Sequence, residues 1–390
     1  MSYAAPISRH HRPLRRRLRT RAVSAALLLL ATLGIGASTA QAERIGLNGQ
    51  QIITDIDANP ARSNLLIDTA AGMRAKELRI PVGWGWIERT PPTTDADGTL
   101  VHSYDWNVYD RSVLAMARRG VRTWADLDGT PKFEVPSSCW RGGQGVGMPD
   151  HPEYFGAFAK AFVARYGPGG TLWAENPGVA ALPVTTIELR NEQNHPYRWC
   201  GGNPNGAEYA QLVRSVLDEL GPDRSVKVVT GGLYPLYDDR GDATVPDSVY
   251  LTQMRDADPT ILDDVDAIGL HDYADQAGGT SSYSAFANGA MVELALTRWK
   301  MMMAGIPPWK PVAITETGIA GVPTLTLAGV IKISADLNDG ARGQAIVDAS
   351  RRMLAADCGV DTVQVHTLAT TNTPPSLAGY PNTADLLYRL

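Results

Sequence analysis

The sequence predicts an α/β fold of the (β/α)8 TIM-barrel type, built as a single domain. Three observations predict it. Short apolar runs rich in β-branched residues alternate with helix-length segments, and the alternation recurs eight times along the chain. No low-complexity linker divides the chain after its N-terminal leader, and no short repeat is visible. The competing doubly wound open sheet calls for a glycine fingerprint after the first strand, and none follows it.

The elements fall in this order. Ile45 to Asn48 reads as a weak first strand, and Leu65 to Met73 as a helix. Glu77 to Val82 is the second strand. Trp106 to Arg119 follows as a helix, with Asp105 as the expected cap and Gly120 as its stop. Val121 to Leu127 is the third strand, and Tyr154 to Tyr166 a helix closed by Gly167-Pro168. The fourth strand runs through Val184 to Leu189 and stops at Asn191-Glu192, since His195-Pro196 cannot continue a ladder. A helix over Ala207 to Leu220 ends at Gly221-Pro222. Val226 to Thr230, Val265 to Leu270, Val312 to Thr315 and Thr362 to Val365 supply strands five to eight. Helices near Val249–Arg255, Gly289–Met303 and Arg342–Ala356 fill the gaps. Only Thr383 to Leu390 remains for an eighth helix, so the last βα unit is expected to be irregular.

The first 42 residues differ in kind. Arg15-Arg16-Arg17, Arg19 and Arg21 precede an apolar run from Ala22 to Ala37, and Ala40-Gln41-Ala42 has the small residues of a cleavage site. Residues 1–42 therefore read as an export signal, with residues 43–390 as the barrel and a secreted, extracellular location. Paired arginines leave both the general and the twin-arginine export routes open. The leader holds seven Arg and no acid, so the remainder carries 36 − 7 = 29 basic against 41 acidic residues, a net of −12. That balance disfavours nucleic acid and anionic membranes as partners. No other stretch is long and apolar enough to span a bilayer. Of the three cysteines, Cys139 and Cys200 fall in polar loops after strands and form the preferred disulfide, while Cys358 ends an apolar helix and reads as a buried thiol.

In a barrel, reacting side chains come from the C-terminal ends of the strands. That rule collects Arg79, Trp84 and Trp86 after strand two, and Asp126 and Asp128 after strand three. It adds Asn191 and Glu192 after strand four, His271, Asp272 and Tyr273 after strand six, and Glu316 after strand seven. Carboxylates, an amide, an imidazole, a phenol and indoles together suit a sugar, whose C–H faces stack on indoles and whose hydroxyls need polar partners. Two Glu at two strand ends form a candidate pair for cleaving a glycosidic bond. Neither a cofactor nor a metal is expected, because the His and Asp spacing fits no ligand pattern.

Several motifs in one order carry a resemblance. They are Arg79-Ile80-Pro81 with Trp84, Tyr104-Asp105-Trp106 through Tyr109-Asp110, and Tyr166-Gly167-Pro168-Gly169-Gly170. Asn191-Glu192-Gln193-Asn194, His271-Asp272-Tyr273 and Ile314-Thr315-Glu316-Thr317-Gly318 complete the set. The chain resembles a clan-A retaining glycoside hydrolase, a (β/α)8 barrel of the family 39 and family 5 kind found among secreted actinobacterial enzymes. The resemblance implies that Glu192 is the acid/base, Glu316 the nucleophile, and Asn191 the partner of the sugar 2-hydroxyl. It places Arg79 beside the nucleophile, and Tyr273 or His271 as the residue that orients it or lines the sugar site. Two departures stand out. Arg190 and Gln193 flank the Asn-Glu pair where the family has Trp and Pro, and Val365-His366-Thr367 replaces the strand-eight Trp. The implied function is hydrolysis of a β-linked glycoside or polysaccharide by double displacement, with a carbohydrate as the partner molecule. The alternative is a cell-wall-associated barrel that binds glycans without turning them over.

Overall fold

The computed structural model describes residues 44–200, 202–234, 244–273, 283–318, 339–357 and 359–366. The leader, Cys358 and the segment Thr383 to Leu390 lie outside the described residues. Eight parallel strands form the barrel: β1 Ile45–Asn48, β2 Glu77–Gly83, β3 Arg122–Asp128, β4 Thr186–Asn191, β5 Lys227–Gly232, β6 Ile268–Asp272, β7 Val312–Thr317 and β8 Val360–Val365. Except at the β5–β6 seam, each forms a ladder with its sequence neighbour, and β8 returns to pair with β1, Ile45 lying opposite Val363. The seam between β5 and β6 is stitched by isolated parallel bridges, Val229 to Ala267 and Leu233 to Leu270.

The helices are α1 Gln50–Ala58, α2 Pro60–Gly72, α3 Asn107–Ala117, α4 Pro152–Tyr166, α5 Gly206–Leu220, α6 Asp247–Ala257, α7 Tyr283–Met303 and α8 Asp339–Ala356. Parallel strands need crossover connections, and these helices provide them while burying the outer face of the sheet. The sequence reading missed α1. Its Ile52, Ile53 and Ile56 are buried at helical spacing, but an Ile-rich stretch reads equally as strand. Asp105 is not the N-cap of α3; Trp106 holds that place, and Asp105 Oδ1 instead accepts from the Asn107 amide at 3.2 Å.

The core has two parts. A large layer lies between sheet and helices, and a small one inside the barrel is made by Trp124, Val229, Ala267 and Ala313. The inner four come from β3, β5, the residue preceding β6, and β7, close to the alternate-strand layering expected of such barrels. Beside this inner layer the filling turns polar: Trp124 Nε1 donates to Glu188 Oε2 at 3.1 Å, and Glu188 is wholly buried. The loops after β3 and β4 are tied together. A two-residue hairpin, Trp140–Arg141 against Gln144–Gly145, caps the β3 loop, and a Cys139–Cys200 disulfide joins it to the β4 loop.

Candidate active site

The polar filling of the barrel is organised by Arg79, whose side chain is 5% exposed. Its Nε and Nη2 donate to the two oxygens of Glu188 at 2.6 and 3.0 Å. Nη1 donates to Asn48 Oδ1 at 2.9 Å and to Glu316 Oε1 at 3.0 Å, and Nη2 to Asn191 Oδ1 at 2.7 Å. Asp126 Oδ2 lies 3.2 Å from Nη2. One guanidinium thus faces three carboxylates, using the planar fork that a lysine lacks. Burial, followed by the nearby charges of Glu188 and Asp128, pushes Asp126 well above the ordinary carboxylate range despite Arg79. The buried cluster therefore carries less negative charge than its carboxyls suggest.

Glu316 is aimed by a backbone irregularity. Leu270 pairs with Ile314, but the next residue, His271, pairs with Glu316, so β7 carries one extra residue at Thr315. Such a bulge re-aims side chains at a barrel rim. Glu316 Oε2 accepts from the Tyr273 hydroxyl at 2.7 Å and lies 3.7 Å from His271 Nδ1 and 3.6 Å from His366 Nδ1. Burial raises its pKa, but His271, Arg79 and His366, together with the Tyr273 hydrogen bond, outweigh burial and hold the carboxyl at about 2. Glu316 is a carboxylate under any physiological condition.

Glu192 sits just past β4 in a left-handed backbone conformation, φ 50°, and Arg190 two residues earlier has φ 69°. Non-glycine residues hold such angles only where the surroundings enforce them. Here Arg190 is pinned: its guanidinium donates to the carbonyls of Gly129 and Gly147 and to Thr130 Oγ1 at 2.8–2.9 Å. The Gln193 amide donates to Gly231 O at 2.9 Å, and the Glu192 backbone NH to Gly232 O at 2.9 Å. Arg190 and Gln193, the residues that flank Asn191-Glu192, thus hold the Glu192 turn in place. Glu192 Oε1 lies 3.1 Å from His271 Nδ1. Burial alone would raise its pKa, yet the hydrogen bond and charge of His271 lower it. Reciprocally, burial lowers His271, but Glu316 and Glu192 raise it above its ordinary 6.5. Gly232 makes room for this imidazole, since a Cβ there would stand 2.2 Å from Nε2.

One oxygen each of Glu192 and Glu316 and a ring nitrogen of His271 all lie within 4.8 Å of one another. Among the described residues this is the group close enough to hold an ion together. Arg79 already lies 3.0 Å from Glu316 Oε1, which makes a further cation there costly.

Of the residues singled out in the sequence, Arg79, Asn191, Glu192, His271, Tyr273 and Glu316 converge on this mouth. Trp84 does not, and its assignment to the sugar site is corrected. It is 0% exposed, stacks on Phe158 at 5.9 Å, meets Phe155 edge-on at 5.5 Å, and donates to Glu88 Oε2 at 2.7 Å. A wholly enclosed indole offers no face to a sugar. Trp84 opens a short helix, Trp84–Ile87, which turns it into the helical shell. Half-buried Trp86 stands instead at a cleft with Asp128, Arg190 and Arg198. The sequence reading missed Glu188, whose signal was an acid inside an otherwise apolar strand, and gave His366 no role.

No family model and no curated protein matches the chain. Solved structures do. The chain is similar to a monomeric β-xylosidase from Caulobacter crescentus CB15, with 16% identity, a TM-score of 0.59, and coverage of 91% of this chain and 69% of that one. It is similar to a GH39 enzyme from Xanthomonas axonopodis pv. citri at 15% identity and TM-score 0.56, covering 90% and 67%. It is also similar to an endo-β-1,4-mannanase from Thermotoga petrophila at 14% identity and TM-score 0.51, covering 89% and 76%. At such identities the similarity is one of fold: the chain has the (β/α)8 barrel that these clan-A glycosidases share, as the sequence motifs led us to expect.

Proposed function

We propose that the chain is a retaining glycoside hydrolase acting on a β-linked glycoside or polysaccharide. The observation that carries this reading is the pair of carboxylates at the ends of β4 and β7, with oxygens within 4.8 Å of each other and opposite surroundings. A retaining mechanism needs carboxyl groups ~5–5.5 Å apart, one to attack and one to protonate. Glu316, held anionic, attacks the anomeric carbon as the bond to the leaving oxygen breaks. The leaving oxygen takes a proton from Glu192. The Glu192–His271 pair holds that proton across its 3.1 Å contact, with His271 as the reservoir. Once the proton is delivered, the pair is a carboxylate and a neutral imidazole. It then accepts a proton from water as that water attacks the glycosyl-enzyme, which frees Glu316 and restores the starting state. Asn191, whose Oδ1 is taken by Arg79, keeps its NH2 group as a donor for the sugar 2-hydroxyl.

The arginine-rich leader and its small-residue end support export, so the substrate would be met outside the cell. A glycan-binding barrel without turnover is the second reading, favoured by the absence of a strand-eight Trp, where His366 stands. Incubating the protein with aryl β-glycosides and plant and microbial polysaccharides separates the two. Release of reducing sugar is expected; retention of a glycan with no release would refute the enzyme reading.

A further inference from the structure

A cleft of about 190 Å³ opens between the loops after β2, β3 and β4. It has room for one sugar-sized group rather than a drug-sized ligand. Trp86 and Tyr197 line it, together with three arginines, Arg141, Arg190 and Arg198, against a single acid, Asp128. Asp128 is already engaged: Arg198 Nη1 reaches its Oδ2 at 3.0 Å, and Arg190 Nε lies 3.6 Å from its Oδ1. The excess positive charge is notable on a chain whose formal net charge is −5. Arg190 is occupied by backbone carbonyls, but the other two arginines are not consumed in this way. Arg141 is exposed and, among the described residues, donates to the carbonyls of Ser138 and Trp140. Arg198 stacks its guanidinium 5.4 Å from the Tyr197 ring, and its Nε is buried with no protein partner. Gln144 Oε1, in the same wall, is likewise buried without a partner. Buried polar atoms without partners mark places where a ligand or water completes the bonding. The loop bearing Arg141 is locked to the loop bearing Arg198 by the Cys139–Cys200 disulfide, so the two guanidinium groups are held on one frame.

We propose that this cleft is a subsite for a carboxylate-bearing sugar, a uronic acid unit, on the Glu192 side of the bond being cleaved. Arg141 and Arg198 take the carboxylate, for which the guanidinium fork is suited. Trp86 and Tyr197 take the faces of the ring. The cleft adjoins the reaction because Arg190, in its wall, stands two residues before Glu192 on the same left-handed turn. The proposal rests on the glycosidase reading and narrows its substrate to acidic β-glycans.

The test compares glucuronoxylan and polymannuronate with their chemically carboxyl-reduced forms, with dextran sulfate as a binding control. Initial rates are measured with the wild-type chain, and retention in affinity gels with the Glu316→Gln variant. The acidic forms are expected to show KM at least tenfold lower than the reduced forms for whichever backbone is cleaved. Arg141→Gln and Arg198→Gln are each expected to shrink that ratio several-fold by raising KM for the acidic form alone. Equal KM for acidic and reduced forms overturns the subsite and leaves the glycosidase reading standing. Retention of dextran sulfate as strong as that of the acidic glycans shows plain charge attraction and also overturns it. No cleavage and no retention of any glycan overturns the glycosidase reading, and the subsite with it.

Discussion

The two ends of the barrel both gather charges, yet they differ in kind. At the floor, where the strands begin, lies a cavity of about 700 Å³ lined by Arg44, Glu77, Arg224, Lys227, Asp266 and Asp361. Its charges form separate pairs in contact with water: Lys227 with Asp361 at 2.9 Å, and Arg224 with Asp266 at 2.8 Å. At the mouth a single buried arginine serves Asp126, Glu188 and Glu316 at 3.2, 2.6 and 3.0 Å. The floor cavity is not the candidate site. What distinguishes the mouth is a set of charges kept from water, so that Glu316 is held anionic and His271 lies 3.1 Å from its neighbour Glu192. Exposed pairs of this kind contribute little to stability.

The sharpest way to break that contrast is to remove the two carboxylates. Glu316→Gly should lose at least ~10³-fold in kcat, and azide should restore turnover with a glycosyl azide of inverted configuration. Glu192→Ala should still turn over substrates with activated leaving groups, azide then giving the retained configuration. Product NMR reads the outcome, and exchanged products would reverse the roles.

Next come the cations. Arg79→Lys leaves part of the Glu188 and Asp126 demand unmet and should lower stability by ~3–5 kcal/mol in denaturant titration, as for a broken buried pair. Lys227→Ala, on the floor, should cost under ~1 kcal/mol and leave kcat unchanged. If the two substitutions cost the same, the distinction between the ends disappears.

The tryptophans sharpen the comparison at smaller scale. Trp84→Phe strips the buried Glu88 carboxylate of its indole donor and should cost ~1–3 kcal/mol in thermal unfolding without moving KM. Trp86→Ala should raise KM and leave stability nearly unchanged.

The pH response gives the smallest effects. Glu316 is lowered from an ordinary 4.5 to about 2, so its contribution to stability is fully present above about 4.5 and is lost as pH falls toward about 2. Tyr273→Phe removes one of the groups that lower it, and the acid limb of kcat/KM should move to higher pH. His271 is raised, so the pair keeps its proton past the ordinary imidazole value of 6.5. His271→Gln should therefore move the alkaline limb to lower pH.

Much of this was legible in the chain, for reasons of period and position. Buried parallel strands read as near-continuous apolar runs, so all eight strands showed, and strand ends then pointed to Arg79, Asn191, Glu192, His271, Tyr273 and Glu316. Trp84 misled because one residue decides which side of a turn an indole takes, and the short helix after β2 sends it inward while Trp86 faces the cleft. The contact of Glu192 with His271 joins residues 79 positions apart, which no local pattern encodes. Glu188 was hidden for the same reason, as its partner Arg79 lies 109 positions away. The supporting role of Arg190 and Gln193 emerged only once their carbonyl partners in the loops after β3 and β5 were in place.

The most direct test is to incubate the protein with a set of 2-deoxy-2-fluoro-β-glycosides bearing activated leaving groups and to map the adduct by peptide mass spectrometry. One fluorosugar esterified to Glu316, with Glu192 unmodified, is the predicted result. An adduct on Glu192, or on a residue outside the mouth of the barrel, would contradict the division of labour between the two carboxylates.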